Sequence, residues 1–163
     1  MINKTQKLTK LSLLLAISII LHLLEPNLPI PIYGVKLGLA NIMGLVTLKM
    51  FGFKNMIYIN LLRVLLSSLL RGIIFGTAFW ISLSGVVLST LVVILINRNQ
   101  KVSIYFLSVI SAITHSIGQL LCVSYIYQSF YLMIYYSPML LILAIPAGLL
   151  TGLLAKEALK RIQ

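Results

Sequence analysis

Long apolar runs, separated by short polar or proline-bearing stretches, set the plan of this chain. A membrane-crossing helix needs about 20 apolar residues, fewer where flanking side chains snorkel. The pattern predicts six such helices, at residues 8–24, 37–51, 55–74, 77–96, 102–127 and 138–155. The first stops at Glu25-Pro26, and the second is short and ends at Gly52. The junction between the third and fourth, 71–76, is the least regular. Arg98, Asn99, Gln100 and Lys101 make a polar turn before the fifth. Tyr125, Tyr127, Tyr131, Tyr135 and Tyr136 then read as a connection suited to the headgroup interface. Ser137 and Pro138 supply an N-cap and a first-turn proline for the sixth helix, which Pro146 is expected to kink.

Pro26, Pro29 and Pro31 lie between the first two helices. Each proline fixes its own φ and drives the preceding residue toward extended geometry. A rigid extended strap is therefore expected, with Glu25 at one end and Lys36 at the other, leading into a glycine-rich helix start that ends at Asn41.

Composition agrees with lipid as the solvent. The chain is 60% apolar and 9% charged, with mean hydropathy +1.08, whereas a soluble domain carries about 25% charged residues. The net charge of +11 does not mark a nucleic-acid binder, because the basic residues sit at the ends of apolar runs rather than along a polar face. Lys4, Lys7, Lys10, Lys49, Lys54, Arg98, Lys101, Lys156, Lys160 and Arg161 fall on one side of a six-span topology. Only Lys36, with Arg71 near the edge, falls on the other. This asymmetry places both termini in the cytoplasm. It also favours six spans over five, since an odd number would split the basic clusters. Lys4, Lys7 and Lys10 imitate a secretory signal, but no A-x-A-like site follows and further spans do, so 8–24 reads as the first helix. The single Cys122 allows no internal disulfide. Residues 1–163 form one domain without internal repeats: an all-α integral membrane protein of the cell membrane.

Ionisable groups inside spans usually face the bundle interior or a wet cavity. On the third helix Asn60, Arg63, Ser67 and Arg71 recur at steps of three or four and share a face. On the fifth, Ser108, Ser111, His115, Gln119 and Cys122 do the same. Ser18, His22 and Glu25 form a shorter stripe on the first. At about 1.5 Å per residue, Arg63 lies roughly 12 Å from the cytoplasmic end, His115 roughly 20 Å, Arg71 roughly 24 Å and Gln119 roughly 25 Å. The polar groups thus gather in the outer half, beneath the strap, as a solute-binding cavity opening outward would require. Each has a plainer reading. Arg63 could satisfy backbone carbonyls, Arg71 could snorkel, His115 and Gln119 could pair with one another, and Glu25 could cap a helix end or pair with Lys36. The serines could be packing residues. Ser12 and Ala16 on the first helix, and Ala144, Gly148 and Gly152 on the sixth, form small-xxx-small faces suited either to packing within the bundle or to docking another membrane subunit.

The segments 31–41, 62–72, 82–85 and 115–119 together resemble the Gx transporter family, also filed as heptaprenyl diphosphate synthase component I. The most specific of these is Val35-Lys-Leu-Gly-Leu-Ala-Asn41 after the prolines. The resemblance covers essentially the whole chain. That family is similar to the substrate-binding S components of energy-coupling factor (ECF) transporters. It therefore implies a compact six-helix bundle that binds a vitamin-like solute from outside, closes the connection after helix one over it, and partners a membrane T subunit and two cytoplasmic ATPases. An Ala-xxx-Ala face on helix one usually meets the T subunit; here Ser12 and Ala16 stand in its place.

The expected function is a solute-binding transport subunit rather than an enzyme. Glu25, Lys36, Asn41, Asn60, Arg63, Ser67, Arg71, His115 and Gln119 are its candidate binding residues, with membrane lipid around the bundle. An excess of arginine and lysine over carboxylate there favours an anionic solute. No G-x-x-x-x-G-K-[ST] loop is present, so ATP hydrolysis falls to partners. The alternative is a non-catalytic membrane component of heptaprenyl diphosphate synthase. Clustered carboxylates would be needed to hold Mg²⁺ on a diphosphate, and the chain has only two acids. No metal or cofactor is expected. A structural membrane subunit without a ligand is a third reading.

Overall fold

The computed structural model describes residues 3–25, 36, 38–99 and 102–162. The strap prolines Pro26, Pro29 and Pro31 lie outside the described residues, as do the polar-turn residues Gln100 and Lys101.

Among the described residues six α-helices follow in order: α1 (Lys4–Leu24), α2 (Asn41–Phe51), α3 (Phe53–Leu70), α4 (Thr77–Ile96), α5 (Ile104–Ile126) and α6 (Phe130–Ile162), with a short 3-10 turn at Asn97–Asn99. Five of them, all but α2, are long and apolar enough to cross a membrane. Their outward faces carry Leu8, Leu13, Leu69, Leu91, Leu95, Ile142 and Leu153, all exposed. The result is an all-helical membrane-type bundle.

The second predicted span proves to be something else. With 11 residues, α2 is about 16 Å long, roughly half a hydrocarbon core. Every residue from Asn41 to Leu48 is buried. Burial on every side places the helix in the interior, and α2 packs against α1, α3, α5 and α6. Its start at Asn41 rather than residue 37 follows from Gly38, whose φ of +83° is left-handed and outside the helical region. Gly52 alone, also at φ +83°, reverses the chain between α2 and α3.

The sixth helix corrects a second expectation. Ser137 and Pro138 do not open it. α6 starts at Phe130 and runs 33 residues through both Pro138 and Pro146, placing Tyr131, Tyr135 and Tyr136 inside the helix. Ser137 donates its hydroxyl to the carbonyl of Ile134 at 3.4 Å instead of capping. Intramembrane helices tolerate proline because neighbouring groups compensate the lost backbone bond. The other boundaries follow local chemistry: Asn3 N–H donates to Gln6 Oε1 at the start of α1, and Ser103 caps α5 by accepting from Phe106 N–H.

One apolar core joins Leu14, Val46, Met56, Ile59, Val93, Leu107 and Ala155, with Val102 and Ile162 packed against it. The end of α6, the α4–α5 junction and the α2–α3 turn therefore share one end of the bundle. α5 and α6 approach closely because Gly148 and Gly152 carry no side chain. A Cβ on Gly148 would stand 2.6 Å from Val109 Cα, and one on Gly152 3.1 Å from Tyr105 Cα. Of the two small-residue faces, the one on α6 thus packs inside the bundle. Ser12 and Ala16 on α1 are exposed.

Candidate functional site

Four helices and the segment before α2 bring the predicted polar residues together. Arg63, on α3, is 1% exposed, and its Nη2 donates to Asn41 Oδ1 on α2 at 2.8 Å. Asn41 Nδ2 continues to Ser111 Oγ on α5 at 3.4 Å. One turn below Arg63, Asn60 Nδ2 donates to Thr90 Oγ1 on α4 at 2.8 Å. A void of about 10 Å³ lies among Asn41, Asn60, Ser89, Thr90 and Ser111, room for roughly one water.

Glu25 and Lys36 sit above this layer, and they do not pair with each other. Glu25 Oε1 accepts from the backbone N–H groups of Gly38 and Leu39, the turn that leads into α2. Lys36 Nζ donates to the carbonyl of His22 at 2.8 Å. Arg71 Nη2 donates to the same carbonyl at 3.1 Å and to that of Leu23. Two cations therefore sit on the unsatisfied carbonyls at the C-terminus of α1, where the helix dipole is negative. Burial pushes the Lys36 ammonium down to about 8, an effect reinforced by Arg71 and Arg63 and opposed by Glu25.

His115 and Gln119 line the α5 side. Gln119 Oε1 accepts from the backbone N–H of Lys36 at 3.3 Å. Gly38 and Gly85 make room for both side chains. A Cβ on Gly38 would meet His115 Cδ2 at 3.1 Å, and one on Gly85 would meet Gln119 Cγ at 2.8 Å and His115 Nδ1 at 2.9 Å. Gly118 in turn lets α5 touch the α4 backbone, since its Cβ would lie 2.9 Å from Gly85 Cα.

Several buried donors and acceptors here have no partner: Glu25 Oε2, Asn60 Oδ1, Arg63 Nε and Nη1, His115 Nδ1 and Gln119 Nε2. Buried polar groups are nearly always paired, so such a concentration needs a physical explanation. Glu25 does not close it on Arg63. The ion pairs among the described residues involve Glu157, with Lys160 and Arg161 at the opposite end.

Of the predicted binding residues, Glu25, Lys36, Asn41, Arg63, His115 and Gln119 converge, and Asn60 lies one turn deeper. Arg71 joins as a cap on α1, so it is neither a free cation nor merely a snorkelling one. Ser67, although buried, gives its hydroxyl to Val64 O within its own helix at 3.2 Å. Sequence reasoning missed Thr90 and Gly44, whose signal was only that of isolated small or hydroxylated residues inside apolar runs. Gly38, Gly85 and Gly118 fall within the family-like segments but were not read as the positions that make room for the site. Among the described residues no group of three His, Cys, Asp or Glu stands together.

No curated protein and no solved structure matches the chain. The family model described as heptaprenyl diphosphate synthase component I matches residues 14–158, a stretch holding every residue of this polar cluster, and the chain belongs to that family.

Proposed function

We propose that this chain is the solute-binding subunit of a transporter in the cell membrane, holding a small organic anion against Arg63. The observation that carries the reading is Arg63 itself. It is a buried guanidinium with two nitrogens unpartnered, and in the same cluster the Gln119 Nε2 donor is unpartnered too. Leaving a buried charge unpaired costs far more than pairing it. A carboxylate or phosphate oxygen would satisfy those donors through charge-assisted bonds. Lys36, Arg63 and Arg71 outnumber Glu25, so the cluster carries a net positive charge that favours an anion.

In this reading the chain runs from end to end of the bundle six times, once by way of the half-length α2, with both termini in the cytoplasm and the cluster in the outer half. The basic residues gather at the end where α6 finishes and α2 turns into α3, which supports that orientation. Ser12 and Ala16 offer the exposed face for a membrane T subunit that works with two cytoplasmic ATPases. The chain binds and its partners supply the energy.

The family description favours a second reading, a non-catalytic membrane component of heptaprenyl diphosphate synthase. A non-catalytic role fits the acids present. Glu25 is held by two backbone N–H groups and Glu157 by Lys160 and Arg161, so they form no carboxylate pair for Mg²⁺.

The test is equilibrium binding of vitamins, flavins, and prenyl or quinone precursors to the purified protein. The transport reading expects saturable binding of an anionic member of this panel, lost in Arg63→Gln. Absence of binding across the panel, together with longer prenyl chains when the protein is added to a catalytic prenyl-synthase subunit, would favour the second reading.

A further inference from the structure

At the basic end of the bundle, far from the Arg63 cluster, a groove of about 680 Å³ opens between the α2–α3 turn and the end of α4. Its size is in the range of small-molecule sites, about 300–1,000 Å³. Leu48, Phe53, Ile94 and Leu95 give it an apolar wall, and Lys49, Asn97 and Arg98 give it a polar rim. No carboxylate lines it.

Three features set the charge of what fits there. Lys49 Nζ donates to Asn97 Oδ1 at 3.2 Å and to Val102 O at 3.4 Å. An ammonium has three donors, so one is left over. Arg98 is exposed and has no hydrogen bond among the described residues. Gly52, which also lines the groove, is the N-cap of α3 and offers no side-chain cap. The first N–H groups of that helix are therefore left for another acceptor. An apolar wall ending in two cations and an uncapped helix start is complementary to an amphiphile with an anionic head. Leu95 and Phe53 are 71% and 49% exposed, so the wall continues into the surface that faces the acyl chains.

We propose that this groove binds an anionic phospholipid. The phosphate sits between Lys49, Arg98 and the start of α3, and an acyl chain lies along Ile94 and Leu95. A basic pocket between helices at the interface suits this class of ligand. The proposal is independent of the solute site.

Native mass spectrometry of the full chain, exchanged into phosphatidylglycerol or phosphatidylcholine, tests it. Phosphatidylglycerol should be retained selectively, and Arg98→Gln should weaken retention about fivefold, as expected for one interfacial cation. Leu95→Glu, which sets a carboxylate on an exposed position of the wall, should weaken it further without unfolding the bundle. Lys160→Gln removes a cation at the same end, outside the groove, and should leave retention unchanged. Equal retention of both lipids, or equal loss in Lys160→Gln and Arg98→Gln, would overturn the site. So would complete displacement of the lipid by inorganic phosphate.

Discussion

Arg63 and Asn41 stand eleven residues on either side of Gly52, and their side chains meet at 2.8 Å. Gly44 and Asn60 repeat the relation at eight residues; a Cβ on Gly44 would fall 2.4 Å from Asn60 Oδ1. With a one-residue reversal at Gly52, equal counts along the two helices give equal depth, about 16 Å from the turn for the Arg63 pair. The guanidinium is therefore held at a set height by the hairpin.

Asn41 is the first place to test that arrangement. Asn41→Ala removes the one hydrogen bond the Arg63 guanidinium makes among the described residues. It should destabilise the detergent-solubilised protein by about 1.5–3 kcal/mol, the usual worth of a bond to a charged group. Asn41→Asp should behave oppositely, keeping thermal stability while abolishing anion binding, because the new carboxylate neutralises Arg63. Thermal unfolding and ligand titration of the two variants separate these effects.

Glycine substitutions divide by cause. Gly85→Ala places a methyl group against Gln119 and His115 at under 3 Å. Overpacking of this kind costs about 1–3 kcal/mol, and solute affinity should fall because both side chains must shift. Gly52→Ala meets nothing within 4 Å but sits at φ +83°. With ψ 176° that backbone is one essentially reserved for glycine, so the substitution should cost only this strain, about 1–3 kcal/mol. If Gly85→Ala left affinity unchanged, the α4–α5 contact would not be positioning the site.

Binding should depend on pH through Lys36. Its ammonium is drawn down to about 8, so it is charged below that pH and neutral above it. An anion stabilises the charged form and raises the value in the complex. Affinity should therefore hold below pH 8 and decline as pH rises beyond it. Lys36→Arg should carry full binding to higher pH, and Lys36→Gln should bind weakly with no step in this range. A wild-type profile flat from pH 7 to 10 would remove Lys36 from the site.

Docking and binding should separate on α1. Ser12→Trp or Ala16→Trp changes an exposed surface, so solute binding by the isolated protein should persist, while energised uptake with the proposed T subunit and ATPases should fail. Vesicle uptake beside equilibrium binding reads the two. Loss of both would place this face in the fold rather than in an interface.

Much of the fold was legible because lipid imposes simple rules. The α4 boundaries follow directly from Gly76 and Asn97, and the facing of Arg63, His115 and Gln119 follows from helical spacing alone. Two elements were not legible. Ser137-Pro138 carries a strong local start signal, yet α6 passes through it because membrane helices accommodate proline. α2 has the composition of a span, and only its neighbours reveal that it is an enclosed half-length helix. Within the site, the Asn41–Arg63 contact depends on the reversal at Gly52 and the Thr90–Asn60 contact on α4 crossing α3. Both are tertiary relations that no single-helix periodicity contains.

The most direct measurement is calorimetric titration of one solute, the tightest-binding anion from the panel, into wild-type protein, Arg63→Gln and Arg63→Lys. The account predicts saturable binding to wild type, at least about tenfold weaker binding to the lysine variant, which lacks the planar donor set, and none to the glutamine variant although it remains folded. Undiminished affinity in folded Arg63→Gln would contradict it.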